Sequence, residues 1–257
     1  MRLPNEKEWE FAARGGVQTN GYKFSGSNDI GEVAWYWRNG GNISKDVATK
    51  QANELGLHDM SGNVFEWCFD ASGHARRVKR GGSLYYSFND FCTVAYHNDS
   101  HPTLSLVSIG FRVARNSADG FPLTSGGVET DTILLDVRLG GHHSHKSSKK
   151  MRSKPTLSVA TEVPVYPDDM EPLEPEAAHA KLGDSFTIPE LGLQIVWVKP
   201  GTFTMGSPDT EAGRGAVETE HNVTLTQGFY LGKYEVTQAQ YEAVMTGNSD
   251  GLSATPS

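Results

Sequence analysis

The sequence predicts an α+β fold in which little of the backbone is regular. Three observations lead there: a single well-capped short helix near the start, brief strand-like runs separated by loops rich in Gly, Asn, Asp and Ser, and a period-two apolar run over 193–198. At 257 residues, 37% hydrophobic and 21% charged, the chain is globular, with room for one domain or a domain plus an appendage.

Asn5 followed three residues later by Glu8 is a capping-box pattern, so residues 6 to 14 read as a helix with Trp9, Ala12 and Ala13 on one face. Gly15-Gly16 end it, and residues 17 to 61 read as long ordered loops. Within them, Val33-Ala34-Trp35-Tyr36-Trp37 reads as core packing rather than a ligand platform. Further on, 77–80, 93–96 and 109–114 are short strands.

From 117 to 185 Ser, Pro, Lys, His and Glu dominate, which is linker composition, with 132–137 as an apolar island that could add an edge strand. His142, His143 and His145 lie there. Lys146, Lys149 and Lys150 oppose a cation, so the stretch reads as a solvated loop. Beyond it, 193–198 and 203–205 around Lys199-Pro200-Gly201-Thr202 read as a hairpin, and 221–226 with 229–236 as a second. Thr237 caps a helix over 238–245 expected to bury Ala239, Tyr241, Val244 and Met245.

The net charge of −8 without a basic stripe argues against nucleic acid, and no apolar run reaches the roughly 18 residues of a membrane span. No signal peptide is visible in the first residues, so an export signal would lie outside this chain. The piece 186–257 is acidic and 1–116 is nearly balanced, which is compatible with the two docking. Cys68 and Cys92 are either a bonded pair, pointing to export, or two buried thiols.

The densest chemistry is Gly56-Leu57-His58-Asp59-Met60-Ser61-Gly62-Asn63-Val64-Phe65-Glu66-Trp67. Carboxylates at Asp59 and Glu66 flanking a turn, with the Gly62 and Val64 carbonyls between, can build a cage for a hard cation that wants oxygens at about 2.4 Å. The same pattern equally describes a tight turn leading into a buried strand.

Four ordered stretches, 2–16 (Arg-Leu-Pro-Asn-Glu through Arg-Gly-Gly), 62–67, Arg80-Gly81-Gly82-Ser83 and Gly110-Phe111-Arg112-Val113-Ala114, resemble the second half of a formylglycine-generating-enzyme (sulfatase-modifying factor) domain. Residues 201–207 and 229–241 resemble its first half, so the halves stand in reversed order. The resemblance implies a variant of the C-type lectin fold with bound Ca2+. It places one calcium site on the side chains of Asp59 and Glu66 and the carbonyls of Gly62 and Val64.

The oxidase chemistry of that family needs two cysteines after the Gly-Gly-Ser turn to bind copper. Here Tyr86 stands at the first position, and the second falls on Phe91 or Asn89, so copper is not expected. The resemblance to ligand-binding proteins of the same fold instead makes Tyr85, Tyr86, Phe88, Asn89 and His97 a face for a protein or small-molecule ligand. The leading expectation is a calcium-stabilised, bacterial, non-oxidase binding module; the alternative is a diverged copper- and oxygen-dependent oxidoreductase or another enzyme on the same cleft. Residues 1–116 and 186–257 are expected to complement each other through the linker, in a monomer or a strand-exchanged dimer; the alternative is a piece of a tandem array with the back half of one domain followed by the front half of the next.

Overall fold

A computed structural model describes residues 1–73, 75–85, 88–117 and 183–246. Helix α1 (Glu6–Ala13) begins as its capping box requires: the Glu8 amide donates to Asn5 Oδ1 at 2.8 Å and the Asn5 amide donates to Glu8 Oε2 at 2.9 Å. The helix is buried almost all round, and not on one face as its apolar spacing predicts. On one side it meets strands β1 (Phe65–Ala71) and β2 (Arg77–Arg80). On the other lies a strand from the far end of the chain, with the Phe11 and Phe203 rings 5.1 Å apart. Gly201 permits that approach, because a Cβ there would press on the Phe11 ring and the Val17 methyl.

Between α1 and β1 the chain forms two short helices, α2 (Ile30–Val33) and α3 (Trp37–Gly40), inside the expected loops. The aromatic run divides between them: Val33 and Ala34 are core, while Trp37 is 42% exposed. Antiparallel pairing joins β2 to β3 (His97–Ser100), and β1 pairs in parallel with β4 (Ile109–Gly110), giving the order β3-β2-β1-β4. The predicted strand at 93–96 is displaced to 97–100. Residues 89–92 form a 3-10 turn that delays it. The predicted 109–114 strand is split, with β5 (Ala114–Asn116) joining a different sheet.

That second sheet has the order β5-β10-β7-β6, where β6 is Phe186–Ile188, β7 is Leu193–Val198 and β10 is Phe229–Gly232. Its β5 edge comes from the first segment, so 114–116 hydrogen-bond directly beside 229–231. Neither predicted hairpin forms. Strand β8 (Gly201–Met205) pairs with β9 (His221–Leu225), and β7 pairs with β10, so the four runs make one long bent hairpin. Val198 faces Phe229 and Gly201 faces Leu225, which leaves 199–200 opposite 226–228, an unequal count of the kind that bends a ribbon. Alternation marked the strands correctly but says nothing of their partners.

The last helix, α4 (Gln238–Met245), carries its predicted cap: the Gln240 amide donates to Thr237 Oγ1 at 3.2 Å. It does not bury the predicted face. Ala239 is exposed and Tyr241, Val244 and Met245 are half-buried. The histidine-rich stretch, the apolar island at 132–137 and the rest of the expected linker lie outside the described residues. Among the described residues no helix is long and apolar enough to cross a membrane.

Candidate functional site

The 59–66 turn is built from backbone that most side chains avoid. Asp59, Gly62 and Asn63 all take left-handed φ, at 58°, 82° and 54°. Gly62 is required twice over, since a Cβ would strike the Trp35 carbonyl, while the Asn63 amide donates to that same oxygen at 2.7 Å. The turn is thereby pinned to the loop before α3.

Glu66, on β1, is wholly buried and fully engaged. Its Oε2 accepts from Trp9 Nε1 at 2.7 Å and from Arg112 Nε at 2.6 Å, and its Oε1 from Arg112 Nη2 at 2.5 Å. Burial works against the charge of Arg112, but the Glu66 carboxylate keeps the guanidinium above its ordinary value. Arg112 also donates to the carbonyls of His58, Gly232 and Lys233, so it ties the turn to the end of β10.

Asp59 is buried differently. Its Oδ2 accepts from the Ala48 amide at 2.8 Å, and its Oδ1 is buried without a hydrogen-bond partner. Just beyond β10, Glu235 shows the same half-engagement: Oε2 accepts from Asn63 Nδ2 at 2.9 Å, and Oε1 is buried and unpartnered. Burial raises the carboxyl of Asp59, and burial followed by the charges of Asp59 and Glu66 raises that of Glu235 well above the usual range. Sequence reasoning missed Glu235. Its signal was a lone acid in the apolar run 229–236, three residues after strand β10.

Val64 is half-buried, with a methyl against Gly110, and Gly62 is buried. Among the described residues no group of three or more His, Cys, Asp or Glu side chains is disposed to hold a metal ion. The reason is visible in Glu66, which turns to Arg112 and Trp9. Asp59 alone of the two expected carboxylates offers a free oxygen.

The expected ligand face is only partly assembled. Tyr85 is 44% exposed, with its hydroxyl donating to the Asn42 carbonyl at 2.8 Å, and Phe88 is 63% exposed, edge-on to Phe91. Asn89 opens the 3-10 turn and is half-buried. Tyr86 lies outside the described residues. His97 is drawn elsewhere: its Nδ1 meets Glu6 Oε1 at 2.7 Å, beside Arg80, whose Nη2 meets Glu10 Oε2 at 2.6 Å.

A family model described as "Sulfatase-modifying factor enzyme 1-like domain" matches residues 1–117 and 186–254, well over half of the chain. The chain belongs to this family. Similar proteins include Chaperone protein LppX of Paenibacillus barcinonensis, 40% identical over 111 residues that cover 34% of this chain and 40% of the relative. The Formylglycine-generating enzyme of Streptomyces coelicolor is 34% identical over 157 residues, covering 49% of this chain and 48% of that one. The Inactive C-alpha-formylglycine-generating enzyme 2 of Mus musculus is 32% identical over 135 residues, covering 45% and 43%. The chain thus spans less than half the length of these curated relatives.

Cys68 and Cys92 are both free and buried, and they belong to separate apolar clusters, Cys68 with Trp9 and Met60, Cys92 with Phe24 and Val33. Burial pushes the Cys92 thiol up to about 12 and the Cys68 thiol well above its usual value. Neither supplies a thiolate near neutral pH.

Proposed function

We propose that this chain is a non-oxidase sulfatase-modifying-factor module: a calcium-supported, C-type-lectin-like binding domain completed within one chain from two halves in permuted order. The observation that carries it is the separation of Cys68 and Cys92 into different buried clusters, which supports a site without the soft ligand pair that Cu(I) takes. A similar protein named as inactive points the same way. The buried, unpartnered Oδ1 of Asp59 supports calcium at the 59–64 turn, since a hard cation is the partner such an oxygen lacks. Pairing of 114–116 with 229–231, and the reach of Arg14 to the Gly206 carbonyl, support complementation of the halves. Tyr85 and Phe88 are the surface we assign to a protein or small-molecule ligand, because exposed aromatics with a polar tip serve recognition well.

Incubation of the chain with copper, oxygen and a cysteine peptide of sulfatase type tests the reading. The expected result is unchanged peptide by mass spectrometry. Conversion of the cysteine to formylglycine would overturn it in favour of an oxidoreductase.

A further inference from the structure

We infer that the ligand of the exposed aromatic face carries a carboxylate on a flat apolar body, and that Lys79, at the inner end of that face, pairs the carboxylate. The inference rests on the recognition face proposed above and names the chemistry it takes.

Strand register brings the residues together. Trp67 stands opposite Lys79 and Lys79 opposite Asn98, so the three form one row across β1, β2 and β3 on a single face of the sheet. Phe65, two residues before Trp67, shares that face. It is the face turned away from α1, because Cys68 and Val78, each one residue off the row, pack with Trp9 on the other side. From the row a chain of rings runs outward. The Lys79 amine lies 4.6 Å from the Phe65 ring centroid, Phe65 is 6.4 Å from Tyr96, Tyr96 is 4.8 Å from Phe91, and Phe91 is 5.6 Å from Phe88, which is open to solvent.

Lys79 is buried without a counter-charge. Only 3% of it is exposed, and among the described residues it makes neither a hydrogen bond nor an ion pair. Asp99 acts on its charge but is already committed, with Oδ2 accepting from Ser72 Oγ at 2.5 Å and Oδ1 from Arg76 Nε. Buried charges are normally paired, so a cation resting on a ring face alone is incomplete. Nor is the amine sealed. The side-chain atoms that are both shut off from water and unpartnered, among the described residues, belong to Glu54, Asp59, Arg80, Ser83 and Glu235, so the open fraction of Lys79 includes its amine.

The chemistry selects the ligand. One cation matches one negative charge, and the Asn98 amide, which spends one N–H on the Tyr96 hydroxyl at 2.9 Å, has a second to donate to the same oxyanion. The rings from Tyr96 to Phe88 offer flat apolar area to the rest of the molecule. Burial, then the charge of Arg76, hold the amine below its ordinary value against the pull of Asp99, and a bound carboxylate would raise it again.

Titration of sodium phenylacetate and of its neutral isostere phenylacetamide into the full chain, followed by NMR, tests this. We expect the native chain to hold phenylacetate roughly tenfold more tightly than the amide. Lys79→Met, which keeps the length of the stem and removes the charge, should level the two, and Lys79→Arg should keep the preference. Phe88→Ala should weaken both compounds alike. The Lys79 amine should also titrate at higher pH with phenylacetate bound than without it, a shift that a purely structural lysine would not show. Should Lys79→Met not fold, Lys79→Gln carries the same comparison. A preference that survives in the uncharged variant while Phe88→Ala still weakens binding would overturn the carboxylate site and leave the recognition face standing. Binding of both compounds that is indifferent to Phe88→Ala would overturn the face as well, and no binding of phenylacetate by the native chain would overturn the inference outright.

Discussion

Two kinds of buried carboxylate adjoin the 59–66 turn and solve burial in opposite ways. Glu66 meets Arg112 and Trp9 with three hydrogen bonds and leaves nothing open. Asp59 and Glu235 stop halfway, each with one oxygen engaged and one without a partner. A buried charge must be paired or hydrogen-bonded to be tolerated, so the first site is structural and complete. The second is buried with its hydrogen bonding incomplete.

Breaking the complete site should have the largest effect. Glu66→Gln leaves the Arg112 guanidinium buried without its counter-charge, and we expect a loss of roughly 3–5 kcal/mol in urea unfolding. Asp59→Asn, measured without calcium, should be neutral or stabilising, since it removes a carboxyl that burial already raises and whose charge raises Glu235 further. A large loss from Asp59→Asn would erase the distinction between the sites.

A carboxylate of intermediate engagement sharpens the comparison. For Glu6, burial would raise the carboxyl, but the hydrogen bond to His97 and the charge of Arg80 hold it below its usual value. A depressed value means stability that is present above the unfolded value of about 4.3 and is lost as pH falls through the folded one. Melting temperature followed from about pH 6 to pH 3 should therefore fall less steeply in Glu6→Gln than in the native chain. Equal slopes would mean that the Glu6–His97 contact adds nothing.

The smallest effect belongs to the exposed aromatics. Tyr85→Ala removes one hydrogen bond to the Asn42 carbonyl at the surface and should shift unfolding by no more than about 1 kcal/mol. A loss as large as that of Glu66→Gln would make Tyr85 a core residue and withdraw it from the recognition face.

What the sequence disclosed follows the range of the forces involved. The caps at Asn5 and Thr237 were legible because they are local, closed within four residues. The pairing of β7 with β10 and of β8 with β9 was not, because alternation marks which residues face inward and leaves the partner strand open. Asp59 was legible as an acid at a turn. The commitment of Glu66 to Arg112 was not, although an arginine inside Gly-Phe-Arg-Val-Ala is itself a sign of a buried counter-charge. The α1 helix looked amphipathic because its second covering layer, around Phe203, comes from nearly 200 residues downstream.

The sheet order β5-β10-β7-β6 sets the connection between the segments on opposite edges, three strand spacings apart. That is about 14 Å, a gap that roughly five extended residues cross. The chain between 117 and 183 is far longer than closure requires. Scission there would break none of the described strand pairings, and the two pieces would be held together by non-covalent contacts alone.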